Sequence, residues 1–311
     1  MARILLLGAS GFLGSHLADA LIARGDEVVG VDDLTSSNGS NVSHLEGNAA
    51  FQFFRGDICD GIPAKGHFDA VLNFASPASP PRYAAMPVHT LRTGSIGTEN
   101  AIKFALERDA RFIMASTSEV YGDPSVSPQK ESYWGNVNSI GERSCYDEAK
   151  RYAEAVCMAY KRQYDANIGI VRIFNTYGPR LDRFDGRVVS NFVCQALRGD
   201  DLTVYGDGSQ TRSFCYVDDE VRGIIALLDS QQTGPINIGN PVEFTMLELA
   251  KIVLELTESN SKLVNLPLPA DDPLQRRPDI SLAKNLLGWE PNVDLRTGLV
   301  STIDWFRDRV D

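Results

Sequence analysis

A tyrosine and a lysine four residues apart form the first pair in this sequence that could do chemistry. Tyr146 and Lys150 lie one turn apart in a stretch with helical periodicity, so both side chains would share one face of a helix. A cation beside a phenol favours the phenolate, although the unperturbed pKa of tyrosine is ~10. The spacing therefore predicts that Tyr146 acts as a base near neutral pH.

Hydroxyl and carboxyl side chains follow a predicted strand at 111–115. Thr117, Ser118 and Glu119 come directly after it, and ligands bind at the carboxyl ends of strands in open α/β sheets. We expect Thr117 to hydrogen-bond a reacting hydroxyl group while Tyr146 takes its proton and a cofactor accepts the hydride. The alternative for the tyrosine and lysine is a solvated helix face, which the neighbouring strand end disfavours.

A glycine-rich turn follows the first predicted strand and opens the first predicted helix. Gly8 permits a tight turn, Gly11 lets the backbone approach a pyrophosphate, and Gly14 allows close packing of helix on strand. The free N–H groups and the dipole of that helix favour phosphates. The predicted cofactor residues of this turn are Gly8, Gly11, Phe12, Leu13 and Gly14.

Acidic residues after the next two strands would bind the adenosine half of a dinucleotide. Asp32 ends the second predicted strand, where a carboxylate binds the ribose hydroxyls of NAD and repels the extra phosphate of NADP. Asp57 and Ile58 follow the third strand and would edge and cover the adenine, with plain core packing as the alternative for Ile58. Ala75, after the fourth strand, together with Tyr146 and Lys150, completes the predicted cofactor-binding set, and NAD is the predicted cofactor.

The elements that must position these residues alternate along the first 174 residues. Apolar runs at 3–7, 27–31, 51–55, 70–74, 111–115 and 169–174 predict strands. Helical patterns occupy 12–24, 87–108 and 146–164. Near-continuous hydrophobicity in the strands indicates a parallel sheet covered on both faces. The expected fold is α/β, a Rossmann-type doubly wound parallel sheet over 1–174, to which about 213–238 returns.

Residues 175–311 are predicted to form mainly a smaller, interleaved lobe that binds substrate. Thr245 and Glu248 have the spacing of a capping box and predict a helix that runs to about Leu256. A proline-rich loop at 266–273 precedes two last helices, at 281–287 and 295–308.

Composition limits the partners. The 311 residues carry a net charge of -11, which argues against nucleic acid or an anionic membrane as partner, so a phosphate-bearing substrate would need a local arginine cluster. No apolar stretch reaches the ~18 residues of a membrane span. Five scattered cysteines and four isolated histidines lack disulfide or metal-ligand spacing, so we expect reduced thiols, no metal and a cytoplasmic location.

Longer runs of the sequence carry a resemblance. They are ASPASPP at 75–81, ASTSEVYGDP at 115–124, YWGNVN at 133–138, RSCYDE at 143–148, RIFNTYGPR at 172–180, DGRVVSNF at 185–192 and RRPDI at 276–280. With the glycine turn and the Tyr146–Lys150 pair, they resemble the extended short-chain dehydrogenases that act on nucleotide sugars, and specifically the UDP-glucuronate decarboxylase (UDP-xylose synthase) family. The resemblance spans nearly the whole chain.

The resemblance implies a reaction and a substrate, UDP-glucuronate. Oxidation at C4 of the glucuronosyl ring makes a β-keto acid, which loses carbon dioxide, and protonation at C5 and reduction at C4 then give UDP-xylose. Ser118 and Glu119 are implied to serve the decarboxylation and protonation stage, together with Arg276. For Glu119 the alternative is a carboxylate at a helix start.

The resemblance also implies a substrate-binding set and an assembly. Asn175 and Arg212 would lie near the diphosphate, and Asn191 and the segment 202–206 near the uridine. The whole implied set is Pro80, Tyr83, Glu119, Asn175, Arg180, Arg187, Val188, Asn191, Thr203, Tyr205, Arg212 and Arg276. Surface arginine is the alternative for Arg180, Arg187 and Arg277. Two copies would pair the helices 87–108 and 146–164 into a four-helix bundle.

Three residues depart from the family pattern, namely Asn73, Gly94 and Glu142. They make local helix geometry and the nicotinamide-side loop less certain, but not the class of reaction. A UDP-glucuronate 4-epimerase is the competing enzyme. A cofactor-binding sensor or scaffold without turnover is the alternative outside enzymes, and it is disfavoured because such proteins typically lose the tyrosine or the lysine.

Overall fold

The computed structural model describes residues 1–267 and 275–310. Its strands are β1 (Arg3–Leu7), β2 (Glu27–Asp32), β3 (Phe51–Arg55), β4 (Ala70–Asn73), β5 (Arg111–Thr117), β6 (Ile168–Ile173), β7 (Thr176–Tyr177), β8 (Leu202–Tyr205), β9 (Thr211–Ser213), β10 (Cys215–Tyr216), β11 (Ile236–Ile238), β12 (Glu243–Thr245), β13 (Leu263–Leu266) and β14 (Gln275–Arg276). Its α-helices are α1 (Phe12–Ala23), α2 (Pro80–Ala85), α3 (Pro87–Arg92), α4 (Thr98–Leu106), α5 (Ser144–Tyr164), α6 (Val188–Arg198), α7 (Val217–Asp229), α8 (Met246–Thr257), α9 (Ser281–Leu287) and α10 (Leu295–Arg307).

Seven parallel strands form the main sheet, in the order β3-β2-β1-β4-β5-β6-β11. The apolar runs that predicted the first six strands lie in this sheet, and β1, β4 and β5 are buried almost throughout. The strand order reverses between β1 and β4, which opens a crevice at their carboxyl ends. The predicted α/β doubly wound fold is confirmed.

The predicted helix 87–108 is interrupted. α3 and α4 are joined by a π-helical turn, Thr93–Gly97, which we call the π-turn, and the backbone keeps helical angles across both junctions. α4 ends at Leu106, and Asp109 has a positive φ of 51°. Gly94 and Gly97 weaken a regular helix at this point because glycine is a poor helix former.

The catalytic-side helix α5 begins two residues earlier than predicted, at Ser144. Ala149, Ala153 and Cys157 form its buried stripe, whereas Tyr152 is exposed. This stripe at a spacing of four residues is the amphipathic pattern that predicted the helix. It holds α5 against the sheet with its first turn at the crevice.

The C-terminal half contributes small sheets rather than a second large one. β12, β9 and β14 form a three-stranded sheet, in which β14 pairs parallel to β9 so that Arg276 lies beside Arg212. The predicted capping box of α8 is present, since Thr245 and Glu248 each bond the other's backbone N–H. The proline-rich loop falls largely on 268–274, outside the described residues.

One hydrophobic core joins both halves of the chain. Leu17 and Val28 of the large sheet layer belong to the same buried cluster as Phe192, Leu249 and Phe306. β11 also returns the chain to the large sheet beside β6. The division at residue 174 stays a prediction. Among the described helices, none combines the length and the apolar character that crossing a membrane requires.

Candidate active site

A cavity of about 1390 Å³ lies at the carboxyl ends of β1, β4, β5 and β6. Segments between β6 and α7 form its opposite wall. The predicted site residues that line it are Gly8, Gly11, Phe12, Leu13, Gly14, Pro80, Tyr83, Thr117, Ser118, Glu119, Tyr146, Lys150, Asn175, Arg180, Arg187, Val188, Asn191, Thr203, Tyr205, Arg212 and Arg276. The fold therefore brings residues predicted for cofactor, catalysis and substrate into one space.

The glycine turn has the shape that a dinucleotide phosphate requires. Gly8 has a φ of +79°, and a Cβ there would lie 2.6 Å from the carbonyl carbon of Phe74, so only glycine fits. A Cβ on Gly11 would have the Gly8 oxygen, at 3.3 Å, as its one neighbour within 4 Å. The turn is thus closed toward the sheet and open toward the cavity, where the N-terminus of α1 points.

Asp32 is fixed by backbone donors at the end of β2. The N–H of Ser10 donates to its Oδ2 at 3.0 Å, and the N–H of Leu34 donates to its Oδ1 at 2.9 Å. Burial raises the pKa of this carboxyl, and both hydrogen bonds act against that rise. The side chain is therefore held in one orientation at the edge of the crevice.

A second cavity of about 50 Å³ adjoins the glycine turn and collects the predicted adenosine-side residues. Asp32, Asp57, Ile58 and Ala75 all line it. His89, which the sequence presented as isolated, faces it as well, with Nε2 3.4 Å from Asp33 Oδ2 and Nδ1 4.0 Å from Asp57 Oδ2. This grouping forms only through the fold, because the three residues come from separate elements.

Tyr146 lies in the first turn of α5 with its ring buried. Its ring stacks on that of Tyr83, with centroids 5.1 Å apart and planes 8° from parallel. Burial, and then the negative charge of Glu119, raise the pKa of Tyr146 to about 12, while a hydrogen bond with Thr117 acts in the opposite direction. The phenol is therefore protonated at neutral pH in this structure.

Lys150 follows one turn later, as predicted, with Nζ 5.7 Å from the centroid of the Tyr146 ring. Its ammonium donates a hydrogen bond of 2.9 Å to the carbonyl oxygen of Ala115, and burial lowers its pKa to about 8. The ammonium is directed at a backbone carbonyl, and burial dominates the raised pKa of Tyr146. The role of Tyr146 as a base stays a prediction.

Glu119 lies between two arginines. It lies in a short 3-10 turn, Ser118–Tyr121. The N–H of Glu119 donates a hydrogen bond of 3.3 Å to Thr117 Oγ1, which caps the start of this turn. Arg143 Nη2 donates to Glu119 Oε2 at 2.5 Å, and Arg276 Nη1 pairs with Oε1. Burial alone would raise the pKa of Glu119, but the charges and hydrogen bonds of Arg276 and Arg143 lower it well below its usual range.

Glu119 lies at the start of a helical turn, as the alternative interpretation of this residue stated, but its carboxylate binds other groups. The turn that it begins is four residues long, and its carboxylate is bound by guanidinium groups from α5's entry and from β14. Arg276 is almost fully buried and also donates to the carbonyl oxygen of Gly122 at 3.0 Å. A buried, paired carboxylate with two cations is therefore the feature that the fold builds here.

Arg143 is a site residue that the sequence interpretation did not single out. It precedes α5 and lies one turn before Tyr146, which was a signal available in the sequence, but its partner Glu119 is 24 residues away. Asp147, next to Tyr146, is also buried beside this cluster. Burial, and then the charge of Glu119, raise the pKa of Asp147, while Arg143 and Arg276 oppose the rise.

The far end of the cavity suits a nucleotide diphosphate. Val188 begins α6, so the free N–H groups and the positive end of its dipole lie at the cavity wall with Asn191 and Arg187. Arg187 is paired with Asp185, at 2.5 and 2.7 Å. Gln195 Nε2 donates a hydrogen bond to Thr203 Oγ1. Tyr205 is 40% exposed at the rim of the cavity.

Of the two remaining arginines, Arg180 lines the cavity and Arg277 does not. Arg180 Nη2 is 2.6 Å from Asp19 Oδ2 on α1, which places it at the glycine-turn side of the cavity. Arg277 lies outside the cavity and pairs with Glu243 at 3.6 Å. For Arg277 the surface alternative is the better description, since its side chain is 43% exposed.

Of the departures from the family pattern, two have visible consequences. Asn73 is buried, and its amide donates to Thr98 Oγ1 at 3.3 Å. Gly94 lies in the π-turn, so local helix geometry differs there from the regular helix that was predicted. Glu142 lies just before Arg143 and α5.

Comparisons with known proteins agree with this geometry. The family model described as "NAD dependent epimerase/dehydratase family" matches residues 4–239. The chain is 51% identical to UDP-glucuronic acid decarboxylase 1 of Arabidopsis thaliana over 99% of this chain and 70% of the relative. It is 50% identical to UDP-glucuronic acid decarboxylase 1 of Danio rerio over 98% of this chain and 72% of that relative.

A solved structure gives the same fold. UDP-glucuronic acid 4-epimerase from Bacillus cereus, in complex with UDP-glucuronic acid and NAD, superposes with a TM-score of 0.86 and 29% identity. The superposition covers 98% of this chain and 99% of the epimerase. The shared fold thus occurs with both a decarboxylase name and an epimerase name among similar proteins.

Proposed function

The chain belongs to the NAD dependent epimerase/dehydratase family, and within it we propose that the protein decarboxylates UDP-glucuronate to UDP-xylose. The observation that carries this proposal is the pair of guanidinium groups on Glu119, from the partly exposed Arg143 and the buried Arg276, beside Thr117 and Tyr146. A hydroxyl oxidation site next to two cations suits a sugar that carries a carboxylate near the oxidised carbon.

NAD is the cofactor, and the residues present fit it. The Gly8–Gly14 turn and the N-terminus of α1 would hold the pyrophosphate, and the fixed carboxylate of Asp32 would bind the ribose hydroxyls and exclude a 2′-phosphate. When bound, the nicotinamide supplies a hydride acceptor at C4 of the sugar and later returns the hydride.

The protein's part in the oxidation is proton removal from the C4 hydroxyl. Thr117 orients that hydroxyl, and Tyr146 takes its proton. Because the phenol has a pKa of about 12 without added positive charge, it needs a nearby cation to become a base. Lys150, one turn away, provides that cation once its ammonium turns from the Ala115 carbonyl toward the site.

Carbon dioxide loss follows from the position of the keto group. With a ketone at C4, the C5–C6 bond breaks, carbon dioxide leaves, and the electron pair of that bond passes to the keto oxygen as an enolate. Arg276 holds the sugar carboxylate in place of Glu119 before this step. Glu119, released from one of its arginines and next to a second carboxylate, then has a higher pKa, takes up a proton from solvent and passes it to C5. Tyr146 returns its proton to the C4 oxygen when the hydride comes back.

The test is product identification with UDP-glucuronate. Pure protein with NAD should release carbon dioxide and convert UDP-glucuronate to a UDP-pentose, identified by mass, and UDP-glucose should release none. Formation of UDP-galacturonate without carbon dioxide would instead establish the 4-epimerase. A lack of any conversion, with NAD bound, would establish the sensor or scaffold alternative.

A homodimer is proposed from exposed apolar side chains on the helices that flank the site. Val88 and Leu91 on α3, Ile96 in the π-turn and Tyr152 on α5 are 69%, 42%, 40% and 41% exposed. Exposed apolar groups on adjacent helices mark interaction surfaces, and a second copy would cover them by forming a four-helix bundle. Light scattering at micromolar concentration should give the dimer mass, and Leu91→Asp should give the monomer. A monomeric parent would contradict the proposal.

A cytoplasmic location is proposed on the state of the thiols. All five cysteines are free, and four of them are buried. Reduced, buried cysteines are typical of proteins in a reducing compartment.

A further inference from the structure

The π-turn joins α3 and α4 into one continuous rod directly beside the cofactor side of the site. Thr93, its first residue, lines the smaller cavity with Asp32 and Asp57. A π-turn holds one more residue per turn than an α-helix and occurs frequently at functional sites. Both of its glycines are buried, and each faces a different neighbour.

Gly94 faces the catalytic helix. A Cβ at this position would lie 2.6 Å from the Cβ of Ala149 and 3.2 Å from its Cα, which is closer than side chains pack. Ala149 is buried and lies on α5 between Tyr146 and Lys150. The missing side chain of Gly94 therefore sets how near the catalytic turn of α5 approaches the rod.

Gly97 faces the adenosine side instead. A Cβ there would lie 2.7 Å from both Cδ1 and Cγ1 of Ile58. Ile58 lines the smaller cavity, and Asn100 of α4 donates from Nδ2 to the carbonyl oxygens of Ile58 and Cys59 at 2.9 and 3.2 Å. The rod therefore also holds the loop that follows β3.

We propose that the π-turn is a positioning element with two separable contacts. Gly94 places the Tyr146–Lys150 turn against Thr117, and Gly97 places Ile58 in the adenosine cavity. The first half rests on the proposed reaction, and the second half requires only the cofactor. One extra methyl group at either glycine then perturbs one half of the site and spares the other.

The test compares Gly94→Ala with Gly97→Ala. In Gly94→Ala, hydride transfer from bound sugar, followed as absorbance of the reduced cofactor, should slow by roughly 10²-fold, since small misplacements at a reacting centre have effects of this size. Its NAD dissociation constant, measured by calorimetry without substrate, should stay parental. Gly97→Ala should show the reverse, with NAD bound roughly tenfold more weakly because of overpacking and a parental rate at saturating NAD.

Rescue separates positioning from general damage. Ala149→Gly removes the nearest atom, at 2.6 Å, and leaves the Cα and the carbonyl oxygen of residue 149 at 3.2 Å. Gly94→Ala/Ala149→Gly should therefore recover most of the hydride-transfer rate, while Ala149→Gly alone stays active. Ser95→Ala, in the same turn, is the control without a new contact. Gly→Ala normally favours a helix, so propensity cannot cause the loss.

The outcomes that overturn the proposal are specific. Parental kcat in Gly94→Ala, equal loss of NAD affinity in both glycine variants, or misfolding of Gly94→Ala that Ala149→Gly does not reverse would each do so. If the parent reduces no cofactor with UDP-glucuronate, the proposed function fails instead. In that case, the NAD dissociation constants of the two glycine variants still test the proposed role of Gly97.

Discussion

Replacing Glu119 by glutamine should slow the steps after carbon dioxide loss more than oxidation at C4. The change keeps the shape of the side chain but removes the charge that Arg143 and Arg276 bind, and an amide cannot carry the proton that C5 needs. Proton transfer by a positioned group contributes roughly 10²–10⁴-fold. We expect protonation at C5, and with it the reoxidation of the reduced cofactor in a single turnover, to slow by that factor.

The structure also gives the size of the accompanying loss of stability. The Arg276 side chain is 4% exposed and that of Glu119 15%, so solvent compensates little when the carboxylate is removed. Leaving one partner of a buried ion pair without its counter-charge costs about 3–5 kcal/mol. An amide oxygen still accepts one hydrogen bond, so Glu119→Gln should lie at the lower end, at about 3 kcal/mol.

Glu119→Gln should affect the binding of UDP-glucuronate in the opposite direction from its effect on stability. Its carboxylate no longer has to displace Glu119 from Arg276, so its dissociation constant should not rise, and substrate should restore part of the lost thermal stability. Glu148→Gln is the matched control, because Glu148 pairs with Arg151 at 3.6 Å with both side chains more than a third exposed. An exposed pair contributes at most about 1 kcal/mol.

The assay follows carbon dioxide and the reduced cofactor in the same rapid-mixing experiment. Glu119→Gln should show cofactor reduction and carbon dioxide release at nearly the parental rates, followed by slow loss of the reduced-cofactor absorbance. If that absorbance decays at the parental rate, the proton role of Glu119 is wrong. If reduction, carbon dioxide release and decay all slow equally, Glu119 acts only by holding the two arginines.

Two further predictions use other parts of the chain. Tyr146→Phe should abolish turnover while calorimetry shows nearly parental binding of NAD and UDP-sugar, because the ring keeps its stack on Tyr83; activity within tenfold of the parent would remove the phenol from the mechanism. Burial raises the pKa of Glu220 well above its usual value, so the folded protein keeps a proton that the unfolded chain loses above pH ~4.3. Stability therefore falls as pH rises through this window, by up to about 1.4 kcal/mol per pH unit. The melting temperature of Glu220→Gln minus that of the parent should therefore be larger at pH 8 than at pH 5. The same melting-temperature difference at both pH values would contradict the raised pKa of Glu220.

The local sequence pattern was enough to predict the strand and helix that form the cofactor side of the site. An apolar run predicted a strand at 3–7, and the glycine turn after it predicted a direct connection to a helix at Phe12. The structure has β1 and α1 at these positions. Thr245 and Glu248 predicted the start of α8 because a capping box acts within four residues. Such features depend on neighbours in the chain, which a sequence displays directly.

The centre of the site depends on distant partners. Arg143 and Arg276 meet at Glu119 only through the packing of α5 and β14, and no spacing rule connects those segments. The two glycines of the π-turn are visible in the sequence, but the close approach of Gly94 to Ala149 is a tertiary contact that no local pattern predicts. The raised pKa of Tyr146 likewise depends on burial in the folded protein, which the spacing to the lysine one turn away does not reveal.

The parallel pairing of β14 with β9 has a consequence for what the protein can accept. Arg212 and Arg276 are register partners on one small sheet, and we propose that this one sheet binds both the diphosphate end and the carboxylate end of the substrate. Remote groups of a substrate can thereby contribute to the rate and not only to affinity. Free glucuronate, although it carries the reacting hydroxyl and carboxylate, lacks the anchor that sets the distance between them. Truncated sugars should therefore fail in kcat, even at concentrations that fill the cavity.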